Sequence, residues 1–141
     1  MDEQAARALF EQALDTHEPA FGSFFLAKLL GFDISFADDA CVVAFTVHDF
    51  MFNPQGSLHG GLIAVALDVS MGHLIHHVTG KGGATLEMKV QYMRPALAGP
   101  VTATGRFLRQ GRSISALESR MCDGGGKLLA LGTSTWQMPA A

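Results

Sequence analysis

Residues 53–72 read NPQGSLHGGLIAVALDVSMG. From Leu62 onward the composition is that of a buried helix, because Leu62, Ile63, Val65, Ala66, Leu67, Val69 and Met71 leave hardly any polar face. A helix that is apolar nearly all round is expected to be covered nearly all round. Pro54 and Gly56 interrupt what precedes it, Ser57 is available as an N-cap, and Gly80 is placed to end it, so the pattern predicts a helix from about His59 to Val78. Two features do not belong in a plain core helix: a carboxylate, Asp68, in its middle and His59-Gly60-Gly61 at its start.

Strand patterns surround this helix. Before it, ACVVAFTV at 40–47 is rich in β-branched residues and reads as a strand. Residues 3–14 place Ala6, Leu9, Phe10, Ala13 and Leu14 at helical spacing, and the Phe-rich piece 21–32 reads as a short helix or an apolar loop ending at Gly31. After Gly83 the period becomes two: Leu86, Met88, Val90 and Tyr92 alternate with Glu87, Lys89 and Gln91, predicting a strand with one buried face. Three more strand-like runs, near 101–109, 113–122 and 127–137, are separated by Gly111 and by the glycine-rich turn at 123–126. Consecutive hairpins predict an antiparallel sheet packed on the one long helix, an α+β fold. A sheet of about five strands cannot hide a 20-residue helix on every side, so a second copy of the chain is expected to supply part of the cover.

Composition narrows the classes. A chain of 141 residues, 48% hydrophobic and 16% charged, is one domain and not a disordered segment. With 10 basic against 13 acidic residues, a net charge of −3 and no basic run, nucleic acid is not an expected partner. Cys41 and Cys122 lack CxxC spacing and read as free thiols in a reducing compartment. The acidic start MDEQAARALFEQALD does not resemble a secretory signal. The stretch FGSFFLAKLLGF is interrupted by Lys28 and falls short of the ~20 residues that span a bilayer. A cytoplasmic protein with no membrane partner is the expectation.

The chemistry concentrates on the helix. Gly60 and Gly61 would leave the first helical N–H groups bare at the positive end of the helix dipole, where a developing oxyanion gains ~3 kcal/mol per donor. Asp68 supplies a carboxylate that can activate water or attack a carbonyl. Eight residues separate Gly60 from Asp68, roughly 12 Å along one helix, so one carbonyl cannot touch both. If they cooperate, Asp68 must face the helix start of a neighbouring subunit. Equally, Asp68 could be a hydrogen-bonded core carboxylate and the glycine pair a close-packing contact. His73, His76 and His77 share a helix face, but without Cys or Glu beside them they read as surface or interface residues. Met88, Tyr92 and Met93 read as sheet core, Trp136 as an anchor for the last strand, and Arg94, Arg106, Arg109 and Arg112 as strand-end charges able to meet phosphate.

N-P-Q-G-S-L-H-G-G-L-I-A-V-A-L-D at 53–68, T-L-E-M-K-V-Q-Y-M-R-P-A at 85–96, G-x-V at 99–101 and the late D-x-G turn together resemble the hotdog-fold acyl-CoA thioesterases. The nearest branch is the phenylacetate-degradation type of the 4-hydroxybenzoyl-CoA thioesterase-like superfamily, and the resemblance covers roughly residues 40–137. It implies a single hotdog thioesterase domain over 1–141, with 1–35 as an N-terminal helical segment packed on an antiparallel sheet that wraps one long central helix. By the same resemblance two subunits pair into a homodimer, and dimers into a homotetramer. Asp68 would be nucleophile or general base, and the Gly60 N–H the oxyanion donor from the other subunit. Asn53 would brace the site, His59 would lie near the thioester, and Thr85 would hold the attacking water. The implied substrate is a small or medium acyl-CoA, aromatic acyl groups included, with no cofactor because coenzyme A is part of the substrate. A thioester suits so small a site: thiolate leaves readily, and the chain has no Gly-x-Ser-x-Gly elbow. A hotdog enoyl-CoA hydratase or dehydratase working through His59, and a non-catalytic acyl-CoA-binding module, are the alternatives.

Overall fold

The computed structural model describes residues 1–141. Helix α1 (Glu3–Thr16) begins where the Asp2 side chain accepts the Ala5 N–H, and a five-residue helix, α2 (Phe25–Leu29), follows the loop that contains Pro19. Strands β1 (Asp33–Ala37) and β2 (Ala40–Val47) form a hairpin, and a 3₁₀ turn (Asp49–Met51) leads to the central helix α3 (Gly60–Thr79). Then come β3 (Ala84–Tyr92), β4 (Gly99–Arg109), β5 (Ile114–Asp123) and β6 (Leu128–Gln137). Strand β1 escapes sequence reading because its mixed sequence DISFA lies at an edge and is mostly exposed, so no clean alternation marks it.

The cap of α3 differs from expectation. Ser57 does not cap it; His59 does, its Nδ1 accepting the Gly61 N–H at 2.9 Å. At the other end Gly80 adopts φ 74°, and its N–H reaches the His76 carbonyl, the left-handed ending that glycine permits without strain. By length and composition α3 could cross a bilayer, which the 21–32 stretch could not, but Leu67, Met71, Leu74 and Ile75 are buried in the common core with the sheet.

The six strands form one antiparallel sheet in the order β1-β2-β4-β5-β6-β3. Only part of the hairpin series is therefore as expected: β4, β5 and β6 are successive neighbours, whereas β3 lies at the far edge beside β6 and the chain crosses the sheet to begin β4. The result is a sheet wrapped on a central helix, the hotdog fold.

Close approach of helix and sheet depends on small residues. A Cβ added to Gly105 on β4 would stand 2.7 Å from the Ser70 carbonyl oxygen on α3, a backbone atom that cannot rotate away. Ser70 also hydrogen-bonds Ser119 of β5 at 2.7 Å, so the polar pair inside the core is satisfied. Gly105→Ala is expected to lower stability by about 1–3 kcal/mol, measured as a drop in melting temperature.

Strand β3 departs from the expected half-buried strand. Leu86 is 55% and Tyr92 54% exposed, and only Met88 and Val90 are partly covered. On α3, Gly61, Val65 and Asp68 form a stripe at i, i+4 and i+7 that the chain itself covers incompletely: Gly61 is exposed, and Val65, packed against the core, and Asp68 are partly buried. The helix is covered on most sides, not all.

Candidate active site

Asp68 sits halfway along α3, and the start of β3 brings Thr85 to it: the Thr85 hydroxyl donates to Asp68 Oδ1 at 2.8 Å. The other oxygen, Oδ2, takes no hydrogen bond within the chain and remains reachable by solvent. Burial pushes the Asp68 pKa above the ordinary carboxylate value, against smaller opposing effects of the Thr85 hydrogen bond and nearby His73. Both residues open into a cavity of about 460 Å³ walled by Phe21, Phe24, His73 and Trp136. Trp136 anchors β6, its Nε1–H donating to Ser134 Oγ, and lines this cavity as well. A Cβ on Gly72 would stand 2.9 Å from its ring, so glycine on α3 makes room for the indole.

The helix start faces another cavity, of about 420 Å³, lined among others by Asn53, Gly60, Tyr92, Met93 and Arg94. Of the two amides expected to be bare, only one is. The Gly61 N–H is occupied by His59 Nδ1, while the Gly60 N–H meets no acceptor in the chain. Tyr92 donates its hydroxyl to the Gly60 carbonyl at 2.8 Å, and a Cβ on Gly60 would lie 3.2 Å from the Tyr92 ring. Glycine here both packs closely and leaves an amide open. Asn53 accepts the N–H groups of Gln55 and Ser57 and donates to Ser57 Oγ, which folds the 53–57 loop against the mouth of this cavity. His59 is the cap, and its bond from Gly61 places the ring proton on Nε2.

The residues singled out by sequence thus fall into two groups. Asp68 and Thr85 touch each other; Asn53 and Gly60 share the second cavity, with His59 capping the helix beside them. Neither of these two cavities of the single chain contains both groups.

The other candidates sort by contact. His73 is buried, not at the surface; its Nδ1 donates to the Val69 carbonyl, and Phe21 and Phe36 stack on His76 and His77. No three His, Cys, Asp or Glu side chains gather as a metal site. Both cysteines are free, and burial pushes the Cys41 thiol up to about 12, which unfits it as a nucleophile. Tyr92 and Met93, expected in the core, are about half exposed and wall the Gly60 cavity. Sequence reading also missed Phe21 and Phe24 as cavity walls. The one available signal was the cluster of phenylalanines at Phe21, Phe24 and Phe25 beside the glycine and proline of a loop.

Comparison with known proteins bears on this geometry. The family model described as Thioesterase superfamily matches residues 55–130, more than half of the chain, from the loop before α3 into β6. Acyl-coenzyme A thioesterase 13 of Mus musculus is 30% identical over 119 residues, 77% of this chain and 85% of that protein. A putative esterase of Saccharolobus solfataricus is 34% identical over 82 residues, which are 57% of this chain and 59% of that protein, so less than two thirds of its length is matched. Among solved structures, the Escherichia coli PaaI protein from the phenylacetic acid degradation operon superposes with a TM-score of 0.78 at 26% identity, covering 94% of this chain and 97% of that one. A match that runs through α3 and most of the sheet, with a relative at 30% identity over 77% of the chain, leads to one conclusion: this chain belongs to the thioesterase superfamily.

Proposed function

We propose that the protein hydrolyses acyl-CoA thioesters, with small to medium acyl groups that include aromatic ones, to the free acid and coenzyme A at sites shared by two copies of the chain. The observation that carries this reading is the separation of two complementary parts: an accessible, unusually basic carboxylate in one cavity and an unpaired helix-start N–H in another. Pairing two chains so that Asp68 of one meets Gly60 of the other would complete both sites at once. The incompletely covered stripe on α3 and the uncovered apolar side chains of β3 are the surface such a pairing would use.

In this reading Asp68 is the general base. Its raised pKa, caused by burial, makes the ionised form a better proton acceptor than an ordinary carboxylate. Oδ2 takes a proton from water as the water oxygen bonds to the thioester carbon. The carbonyl oxygen, now carrying the negative charge, accepts the Gly60 N–H. Collapse of this adduct breaks the carbon–sulfur bond, and the departing thiolate recovers the proton from Asp68 to give the free thiol and the acid. Thr85 keeps Oδ1 occupied, so the carboxylate presents one oxygen to water. The ring-lined Asp68 cavity suits an aromatic acyl group, because ring faces and edges pair favourably. Arg94, in the wall of the Gly60 cavity, is placed for a coenzyme A phosphate. Pairing of dimers into a tetramer belongs to the same proposal.

A panel of aliphatic and aromatic acyl-CoAs, assayed by thiol release, tests the function. Release from at least one class is expected; tight binding without release of thiol from any member, or consumption of an enoyl-CoA with its thioester intact, would reject hydrolysis. The pH profile gives a second check. Because ionised Asp68 is required, activity should fall on acidification at a pH above the usual carboxylate range. Thr85→Val removes a hydrogen bond that holds the pKa down, so the acid limb of kcat/KM should move to higher pH.

A further inference from the structure

The loop between α1 and α2 forms one side of the Asp68 cavity, through Pro19, Ala20, Phe21 and Phe24. Its attachment to the rest of the fold is slight. Residues 18–23 hydrogen-bond among themselves, Glu18 N–H to Ser23 O, Ala20 N–H to Glu18 O and Ser23 N–H to Ala20 O. Only one hydrogen bond from them reaches another part of the chain: the Gly22 N–H donates to His73 Nε2 at 2.8 Å. Gly22 has φ 83°, a left-handed conformation that glycine adopts readily and that turns its amide toward α3.

His73 is built to receive that bond. It is 6% exposed, and its Nδ1 donates to the Val69 carbonyl at 3.0 Å, which leaves the lone pair on Nε2. Burial lowers its pKa, with the nearby His76 acting in the same direction, so the acceptor stays unprotonated at neutral pH. Two rings of the loop lean on the imidazole: Phe21 edge-on with centroids 5.0 Å apart and Phe24 tilted at 5.9 Å. Phe21 also stacks on His76 at 3.9 Å, and its Cζ lies 3.0 Å from where a Cβ on Gly82 would be, so it is wedged between α3 and the turn before β3. Even so, Phe21 remains 45% exposed. A wall held by one hydrogen bond and ring packing is positioned firmly and can be altered without rebuilding the core.

We infer that residues 19–24 are the wall by which the Asp68 cavity discriminates among acyl groups, and that the buried His73 is the positioning residue that holds this wall in place. The inference rests on the thioesterase reading for the identity of the ligand, but not for its test. Phe21 and Phe24 face whatever extends from the reacting carbonyl into the cavity, so they act on acyl groups long enough to reach them and leave an acetyl group untouched. His73 meets the substrate through the loop it holds: an acceptor at Nε2 keeps Gly22, and with it Phe21, in register.

Trp136, the only tryptophan of the chain, lines the same cavity and reports occupancy by its fluorescence. The experiment titrates the Asp68→Asn protein with acetyl-CoA, phenylacetyl-CoA and decanoyl-CoA, alone and combined with Phe21→Ala, His73→Leu or His73→Gln. His73→Leu removes the acceptor, and His73→Gln restores one near the Nε2 position. Phe21→Ala is the variant least able to harm folding, since the ring is half exposed. For Phe21→Ala and His73→Leu the Kd for phenylacetyl-CoA is expected to rise about tenfold and that for decanoyl-CoA to change by a different factor, with acetyl-CoA unaffected. His73→Gln should recover most of the phenylacetyl-CoA affinity. With Asp68 intact, KM for phenylacetyl-CoA should rise in Phe21→Ala and His73→Leu and be largely recovered in His73→Gln. An equal shift for all three ligands, no shift in Phe21→Ala, or no response of Trp136 to any acyl-CoA would overturn the inference. Selective binding shifts in a protein that releases no thiol would instead uphold the wall and reject the hydrolytic reading.

Discussion

Asp68→Asn is expected to lower thiol release from a good acyl-CoA substrate by roughly 10²–10⁴-fold, with fold and oligomeric state retained. Asparagine has the same size, and its Oδ1 can still accept the Thr85 hydroxyl at the 2.8 Å position, but it cannot take a proton from water. The same substitution should stabilise the protein at neutral pH. Burial raises the folded-state pKa of Asp68, so the folded chain holds its proton more tightly than the unfolded chain does. Below the ordinary carboxylate pKa both states are protonated and nothing is lost. As pH rises the unfolded state ionises first, and the destabilisation grows until it is complete above the folded-state pKa. Melting curves of the two proteins should therefore diverge at neutral pH, with Asn higher, and converge in acid. A variant with full turnover, or one that melts lower at neutral pH, would remove Asp68 from the role given to it.

Gly60→Pro should have an effect of similar size for a different reason. Proline has no N–H, and position 60 is the first of α3, where proline is well accepted. The preceding residue, His59, already has φ −57° and ψ 131°, the extended conformation that proline requires before it. The substitution therefore deletes the unpaired amide with little strain in the backbone. Loss of one oxyanion donor predicts a fall in kcat of about 10²–10³-fold. Gly60→Ala keeps the amide and adds only a Cβ 3.2 Å from the movable Tyr92 ring, so it should lose far less. Mixing the two inactive proteins is the sharper measurement. If each site draws Asp68 from one chain and Gly60 from the other, a heterodimer of Asp68→Asn with Gly60→Pro has one doubly defective site and one intact site. Random exchange of subunits should then restore about a quarter of wild-type activity. Were both residues to act within one chain, the mixture would stay at the mean of the two residual activities.

How much of this could be read from the residues differs from element to element. The long helix was legible because its apolar residues, its glycine ending and its breakers all agree. The bounds of β2 were read directly, and those of β4, β5 and β6 to within two residues, since β-branched runs between glycine turns leave little choice. The Asp68 and Gly60 pair stood out because a carboxylate and bare glycines are expensive or weak choices in an apolar helix. His59 was misread at the level of the cap: Ser57 is the commoner capping type, and only the folded loop shows that the imidazole reaches Gly61 first. Tyr92 was assigned to the core by its alternation, a pattern that marks which side chains share a face but not whether that face is covered.

Local pattern, then, was enough to determine that one apolar helix carrying an acid is wrapped by an antiparallel sheet, because hydrophobic periodicity and turn chemistry act over a few residues. The placing of β3 beside β6, the meeting of Thr85 with Asp68, the single unpaired amide at Gly60 and the wall held by Gly22 and His73 were decided only in three dimensions. Each of these joins residues far apart in the chain or depends on which of two neighbouring groups gains a hydrogen bond first, and such competitions are settled by packing, not by composition.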